Sequence, residues 1–239
     1  WTRRRPPPAR CSEILEHAIR NSRLIVATPA PTITIKAITA AYTEFEIAFF
    51  VEDLGSTVKA QNELFDFIYR HLAAADIDLA APPNGSSVGS SRKRRTGAER
   101  LLELVAIFAT FTPAERAAIA AKLEERSYDE GETVIEPGVV PQSLFIVGSG
   151  VLSFTRLEIE GDIELLRLGP GDHFGEIGLL TGAAATARFS ALIPSTVYQL
   201  AKADLTPILE SRPQVAKELC RALARLQTAG RLALIHARP

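Results

Sequence analysis

Methionine is absent from the 239-residue sequence, and cysteine occurs only twice. Cys11 and Cys220 lie far apart, so we expect neither a disulfide framework nor a cysteine-rich metal site, and a reducing compartment is the natural one. The longest apolar runs fall far short of a membrane span, and we expect no part of this stretch to cross a bilayer. The formal net charge of −1 gives no overall reason to expect a nucleic-acid partner.

Patterns typical of catalytic or metal-binding sites are also lacking in the sequence. The four histidines have no ligand spacing between them, so metal binding is not expected; they are His17, His71, His173 and His236. No Ser-His-Asp triad, carboxylate pair or lysine-containing phosphate loop stands out. His173 alone lies near the candidate site described below, where a plain turn residue is the favoured interpretation. We therefore expect a protein that is not an enzyme and carries no cofactor.

Composition divides the chain into two domains joined by a linker. Residues 1–11 are rich in Arg and Pro and are expected to be disordered. Helix and strand patterns fall at 12–80 and at 100–232, and the stretch between them, 81–99, is rich in Gly, Ser and Pro, as is typical of a linker. The basic run at 92–95 would suit lipid headgroups or nucleic acid, but a solvated linker is favoured.

The first domain combines helix and strand patterns. Ser12 is a candidate N-cap for a helix that ends near Asn21, and a longer helix is predicted over 55–75 from its apolar spacing. Strands are predicted at 24–26, 32–36, 44–51 and 77–79. In the third of these strands, every second residue is a large apolar one, which indicates one buried face. This face is made by Phe45, Ile47, Phe49 and Val51.

The second domain has a strand-rich core between helices. A helix is predicted over 100–108, and Thr112, Pro113 and Glu115 predict the N-cap and first turn of a second helix that runs to about Arg126. Short strands with glycine turns suit an antiparallel roll. They are predicted at 133–135, 143–147, 151–157, 163–168, 186–193 and 196–200. A last helix over 213–230 has one apolar stripe, made by Val215, Leu219, Ala222, Leu223 and Leu226.

The stretch 174–192, FGEIGLLTGAAATARFSAL, is the candidate binding site. After a Gly- and Pro-rich turn at 168–173, the pair Gly175-Glu176 opens a short apolar turn, which predicts free backbone N–H groups at a helix start. Such groups bind anions. Glu176 would be a strong acceptor for a ligand hydroxyl. A ligand with both an anion and a hydroxyl, such as a cyclic sugar phosphate, would suit this pattern.

This stretch resembles the phosphate-binding cassette of cyclic nucleotide-binding domains. The resemblance rests on FGEIGLLTG and on the TA and SAL of the following TARFSAL. Residues 128–150, YDEGETVIEPGVVPQSLFIVGSG, resemble the first part of the same domain. The glycines match the family's turns at Gly131, Gly138, Gly150, Gly171, Gly175 and Gly182. The resemblance implies cAMP or cGMP as a regulatory ligand, with contacts from Phe174, Gly175, Glu176, Ile177, Ala184, Ala185 and Thr186.

The cassette departs from the family pattern at one important position. The family usually reads G-x-P-R-[ST]-A, in which the Arg pairs with the cyclic phosphate, whereas residues 182–187 read GAAATA. Ala185 stands at the Arg position, so the resemblance implies weakened ligand binding. Arg188 is three residues further along, which puts it on the opposite strand face from Ala185, and a surface role is favoured for it.

Residues 12–80 resemble the cytoplasmic C-terminal αβ domain of small-conductance mechanosensitive channels. The resemblance rests on ATPAPTITIKAI, FEIAFFVED and AQNELFDFIYRHLAAADIDLA. It implies a small ferredoxin-like αβ domain that lacks its first strand. With the β-roll cyclic nucleotide-binding domain and flanking helices implied by the first resemblance, the fold class of the whole chain would be α+β.

Together, the two resemblances imply the cyclic nucleotide-sensing regulatory part of a mechanosensitive-type ion channel. Its partners would be the pore-forming part of the same channel, absent from this sequence, and further copies of the chain in a ring. The fragment would be soluble and would lie on the cytoplasmic side of the membrane; its opening on Trp without Met fits a fragment. The alternative is a stand-alone cytosolic adaptor with a degenerate nucleotide domain. A transcription regulator is disfavoured, because only about ten residues follow Gly230 and a helix-turn-helix needs more chain.

Overall fold

The structure is a computed structural model, which describes residues 6–39, 42–79, 96–159, 161–221 and 224. The chain divides into two compact units, residues 1–97 and 98–239. The division falls inside the predicted linker, most of which lies outside the described residues. No helix among the described residues is long and apolar enough to cross a membrane.

The first unit is a pair of helices with a two-stranded antiparallel sheet. In chain order it contains α1 (Pro8–Asn21), β1 (Thr32–Ile38), β2 (Thr43–Ala48) and α2 (Thr57–Ala74), with a 3-10 turn at Leu54–Ser56. β1 and β2 pair with Thr32 opposite Ala48 and Ile33 opposite Ile47. A single bridge between Ile25 and Val51 extends this pairing. The ferredoxin-like assignment of this unit stays an expectation.

Several boundaries in the first unit differ from those expected. α1 begins at Pro8, so residues 8–11 are helical and Ser12 lies inside the helix and is not its N-cap. Proline is well suited to a first helical turn, because its missing N–H would have no intrahelical partner there. Residues 24–26 form only the isolated bridge, and 77–79 have no regular structure. Residues 1–5 of the expected disordered segment lie outside the described residues.

The core of the first unit is small and its sheet face is only partly covered. Ala18, Ile19 and Leu64 are buried together where α1 meets α2. The predicted alternation in β2 is confirmed, since Phe45 and Ile47 are half-buried and their neighbours are exposed. A groove of about 560 Å³ runs along this face. Its lining includes Leu15, Phe45, Ile47, Phe49, Phe65, Ile68, Leu72 and Ile77.

The second unit is an antiparallel β-roll of two four-stranded sheets. Its strands are β3 (Glu124–Tyr128), β4 (Thr133–Ile135), β5 (Ser143–Ser149), β6 (Leu152–Arg156), β7 (Ile163–Leu168), β8 (His173–Phe174), β9 (Arg188–Ala191) and β10 (Ser195–Ala201). One sheet has the order β3-β10-β5-β8 and the other β4-β9-β6-β7. The roll predicted from the glycine-separated strands is therefore present.

Four helices accompany the roll, together with a helical segment near its end. They are α3 (Gly97–Leu104), α4 (Pro113–Ala120), α5 (Glu176–Thr181) and α6 (Lys202–Ser211), with a 3-10 turn at Ala106–Phe108 and the helical segment at 213–221. One apolar cluster joins the roll to these helices, and it includes Leu102, Phe108, Ile146, Leu200, Leu205 and Leu219. A second cluster fills the roll itself, and it includes Val147, Leu152, Phe174, Phe189 and Val197.

In the second unit, the structure differs from the sequence predictions mainly at polar or short elements. The helix expected to reach Arg126 ends at Ala120, and Glu124–Tyr128 forms β3. β8 and α6 were not predicted. The last helix does begin near Pro213, and Val215 and Leu219 of its predicted stripe are buried. The other residues of that stripe, Ala222, Leu223 and Leu226, lie outside the described residues, and so does the predicted helix end at Gly230.

The predicted N-terminus of α4 is confirmed in detail. The Thr112 hydroxyl accepts a hydrogen bond from the Glu115 N–H, and the Thr112 N–H donates to a Glu115 carboxylate oxygen at 2.8 Å. Pro113 occupies the first turn. These bonds hold the pKa of Glu115 below its ordinary value, because the hydrogen bonds to Thr112 favour the charged carboxylate and Arg212 adds a favourable charge.

Candidate functional site

A left-handed glycine sets the start of the cassette. β8 pairs with β5 through Phe145 opposite Phe174, and Gly175 then turns the chain into α5 with a φ of 93°. A Cβ on Gly175 would lie 2.6 Å from the backbone oxygen of Ser143, so no other residue fits without movement of the backbone. The turn places Glu176 as the first residue of α5, directed into the unit.

Glu176 is fully buried and its carboxylate has no hydrogen-bond partner among the described residues. Its exposed fraction is 0%, and both Oε1 and Oε2 lack a partner. Nδ1 of His173 lies 3.8 Å from Oε2, and it too has no hydrogen-bond partner in the described part of the chain. A buried carboxylate normally has partners for its oxygens, because leaving them unpaired costs free energy. The arrangement provides two acceptor atoms for hydroxyl or N–H donors of a ligand.

Phe174 serves the core of the roll. Its side chain is 0% exposed, and its ring stacks on Phe145 with centroids 5.0 Å apart and on Phe189 at 4.4 Å. Phe154 continues the row, 4.6 Å from Phe189. The structure therefore places Phe174 in the core of the roll, where its ring packs β8 against β5 and β9, and its ligand contact stays a prediction.

The second half of the cassette runs from Gly182 to β9 and contains the position expected to hold an arginine. The Ala185 N–H donates to the Val139 oxygen at 2.8 Å, and the Ala185 oxygen accepts from the Gly138 N–H at 2.8 Å. The Ala185 side chain packs against the core of the roll. This residue is thus inward-facing, and its backbone groups are already bonded.

The other predicted contact residues differ in accessibility. Ile177 and Ala184 are half-buried, whereas Thr186 is exposed. The structure therefore buries Glu176, leaves Ala185 half-buried against the core of the roll, and leaves Thr186 exposed.

Arg188 lies on the outer face of β9. The strand alternates, with Phe189 and Ala191 buried and Arg188 and Ser190 half-buried. The Arg188 Nε donates to Oε2 of Glu136 at 3.1 Å. This ion pair agrees with the surface role inferred from the strand periodicity.

His173 is the residue that sequence reasoning missed. It was interpreted as a plain turn residue, but it lies in β8 with its side chain 10% exposed and beside Glu176. The spacing of three residues between the two was visible in the sequence. The two side chains come close because of the turn at Gly175. The sequence predicts this turn but not the backbone angles that bring the side chains together.

Comparisons with known proteins find relatives of the second unit. Residues 125–212 match the family model of the cyclic nucleotide-binding domain. This part of the chain has the sequence pattern of a cyclic nucleotide-binding domain. The match begins within β3 and includes β4 to β10, the cassette and α6, so it supports the cyclic nucleotide-binding domain expected from the glycines and the FGE motif.

Similar proteins include regulators and longer chains of other kinds. A cAMP-dependent protein kinase regulatory subunit of Mycosarcoma maydis is 34% identical over 102 residues, which are 43% of this chain and 19% of that protein. An uncharacterized NTE family protein of Mycobacterium tuberculosis is 29% identical over 148 residues, 62% of this chain and 25% of that protein. The catabolite activator protein of Thermus thermophilus has a solved structure that is 29% identical, with a TM-score of 0.48 over 54% of this chain and 61% of that chain.

The chain spans only about a quarter or less of the length of these curated relatives. The family match itself covers residues 125–212. It does not extend to the activities of the complete relatives.

Proposed function

We propose that this chain is the cyclic nucleotide-sensing, regulatory cytoplasmic part of a mechanosensitive-type ion channel. In this proposal cAMP or cGMP binds weakly at the cassette of the second unit. Binding shifts the helical segment that follows the roll, and the shift biases gating of the pore-forming part of the same channel.

The buried Glu176 carboxylate is the observation that carries the ligand-binding half of the proposal. Both of its oxygens lack partners among the described residues, although the side chain is 0% exposed. A ligand hydroxyl that donates to this carboxylate would relieve the cost of burying unpaired oxygens. Ile177, Ala184 and Thr186 would supply the surrounding contacts, with Gly175 setting the turn.

Ala185 supports weak binding. Its side chain faces the roll and ends in a methyl group, so it offers nothing to a phosphate, and its N–H already donates to Val139. A charged hydrogen bond to phosphate contributes about 1.5–3 kcal/mol. Its absence should weaken cyclic nucleotide binding by about ten- to a hundredfold.

The partly covered sheet of the first unit supports the channel half of the proposal. A groove of about 560 Å³ lies along the half-buried side chains of β2, and Phe65 at its edge is 59% exposed. Half-covered two-stranded sheets are marginal by themselves and gain stability from a further strand or partner. A neighbouring segment of a larger assembly, such as a channel, would cover this face.

Calorimetric titration of the chain with cAMP and cGMP tests ligand binding. The proposal expects one saturable, weak site that Glu176→Ala abolishes and Glu130→Ala, at an exposed turn carboxylate, leaves unchanged. Equal binding by wild type and Glu176→Ala would show that the ligand, if any, binds elsewhere.

Electrical recording tests the channel. The protein encoded by the complete reading frame that contains this sequence would be expressed in bacteria. Membrane patches from spheroplasts of these cells would be stretched by suction in a patch pipette, with and without cyclic nucleotide. Stretch-activated currents that change with the nucleotide support the proposal, and a reading frame without pore helices contradicts it.

A further inference from the structure

We infer that the cassette prefers a neutral nucleoside to a cyclic nucleotide. The inference rests on the proposed function, because it concerns the same site, and it names the class of ligand that this site takes most tightly.

The charges of the cassette are unfavourable for a phosphate. Between Phe174 and Ala191, all of which the structure describes, the ionisable side chains are Glu176 and Arg188. Glu176 is buried, whereas Arg188 lies on the outer face of β9 and pairs with Glu136. The interior of the cassette therefore carries a carboxylate without a compensating arginine, and the side chain beside that carboxylate is the His173 imidazole. An anionic ligand entering a poorly solvated site is repelled by such a group.

Backbone donors do not replace the missing arginine at position 185. The Ala185 N–H is taken by the Val139 oxygen, and the Gly138 N–H that faces it is taken by the Ala185 oxygen. α5 has only six residues, so its aligned peptide dipoles provide a small field. Position 185 therefore offers neither a charge nor a free N–H group to a phosphate, which favours a ligand without charge at this point.

The two unpartnered oxygens of Glu176 match a nucleoside better than a cyclic nucleotide. A ribonucleoside carries adjacent 2′- and 3′-hydroxyls, each of which can donate one hydrogen bond to a carboxylate oxygen. In a 3′,5′-cyclic nucleotide the 3′-oxygen is esterified, so only the 2′-hydroxyl can donate. A nucleoside would thus satisfy both Oε1 and Oε2, which lack partners, and a cyclic nucleotide would satisfy one of them.

Calorimetric titration of the full 239-residue chain compares the two classes directly. The probes are adenosine and guanosine against cAMP and cGMP, each at the same pH and salt concentration. We expect the better nucleoside to bind at least about tenfold more tightly than the cyclic nucleotide with the same base. The 2′-deoxy and 3′-deoxy forms of that nucleoside should each lose about tenfold, because each lacks one donor.

Ala185→Arg supplies the missing charge and should reverse the order, so that the cyclic nucleotide binds more tightly than the nucleoside. Ala183→Arg is the matched control, since Ala183 is exposed and the substitution adds the same charge to the cassette. The control should keep the wild-type order. Thermal unfolding of each variant checks that it is folded, and the deoxynucleoside comparison needs no variant at all.

The outcomes separate this inference from the proposed function. If cyclic nucleotides bind the wild type as tightly as nucleosides or more tightly, the inference is wrong and the proposed function stands. Full affinity for the 3′-deoxynucleoside would also overturn it, because the second oxygen of Glu176 would then have no role. If neither class binds, both the inference and the ligand-sensing part of the proposed function are wrong.

Discussion

Nδ1 of His173 lies 3.8 Å from Oε2 of Glu176, and neither atom has a hydrogen-bond partner among the described residues. A small movement of either side chain would bring the two within hydrogen-bonding distance. His173 can therefore act as a positioning residue that orients the carboxylate toward a ligand.

We expect His173→Phe to weaken ligand binding by about tenfold, because the apolar ring cannot orient the Glu176 carboxylate by a hydrogen bond. His173→Gln should retain most of the affinity, since its amide can still donate. Calorimetry with the tightest ligand measures both variants. Equal losses in the two variants would indicate that the imidazole ring serves packing alone.

A second prediction concerns the cost of the buried carboxylate in the ligand-free protein. Glu176→Leu replaces unpaired oxygens with an apolar side chain of similar size, so the free energy of unfolding should rise by about 1–3 kcal/mol while ligand binding is lost. Urea unfolding of the ligand-free chain provides the measurement. A destabilised variant would mean that Glu176 has a structural partner in solution.

A third prediction concerns the turn before α5. Gly175→Ala introduces both a strained φ and a Cβ 2.6 Å from the Ser143 oxygen, and we expect a loss of about 3 kcal/mol. Gly131→Ala is the matched control: its φ is 83°, but a Cβ there meets nothing within 4 Å, so it should lose only about 1 kcal/mol. Similar losses in the two variants, measured by urea unfolding, would contradict the close contact with Ser143.

A fourth prediction concerns acid stability of the first unit. Burial lowers the pKa of His71 from 6.5 to about 3, and the charges of His17 and Arg70 act in the same direction. Below pH 6.5 the unfolded chain binds a proton that the folded unit does not, so stability should be full above pH 6.5 and fall progressively between pH 6.5 and about 3.

Hydrogen exchange of the α1 and α2 amides, followed by mass spectrometry, measures this effect in the intact chain. His71→Phe should remove most of the loss of protection between pH 6.5 and 4, after correction for the intrinsic exchange rate. An unchanged pH dependence in the variant would show that other groups cause the acid sensitivity.

The sequence was informative wherever structure depends on local chemistry. Thr112, Pro113 and Glu115 predicted the start of α4 because a capping box involves only neighbouring residues. The alternation of Phe45 and Ile47 in β2 was likewise visible, since strand periodicity places alternate residues on one face.

Elements that depend on distant partners were harder to predict. β3 has the sequence EERSY and its first four residues are exposed, so no alternation indicates a strand; it is held by pairing with β10. β8 has only two residues, and α6 contains Pro207 within a helix. In the site, the FGE motif indicated Glu176. The burial of its carboxylate beside His173, in contrast, depends on the packing of β8, β5 and α5.

The most direct test of the account is the affinity of the intact chain for cAMP and cGMP before and after Ala185→Arg, measured by calorimetry in one buffer. We predict weak binding by the wild type and an increase of about ten- to a hundredfold in the variant, because the arginine would pair with the cyclic phosphate from the inner face of the cassette. A wild type that already binds as tightly as the variant would contradict it, and so would a folded variant that binds no more tightly than the wild type.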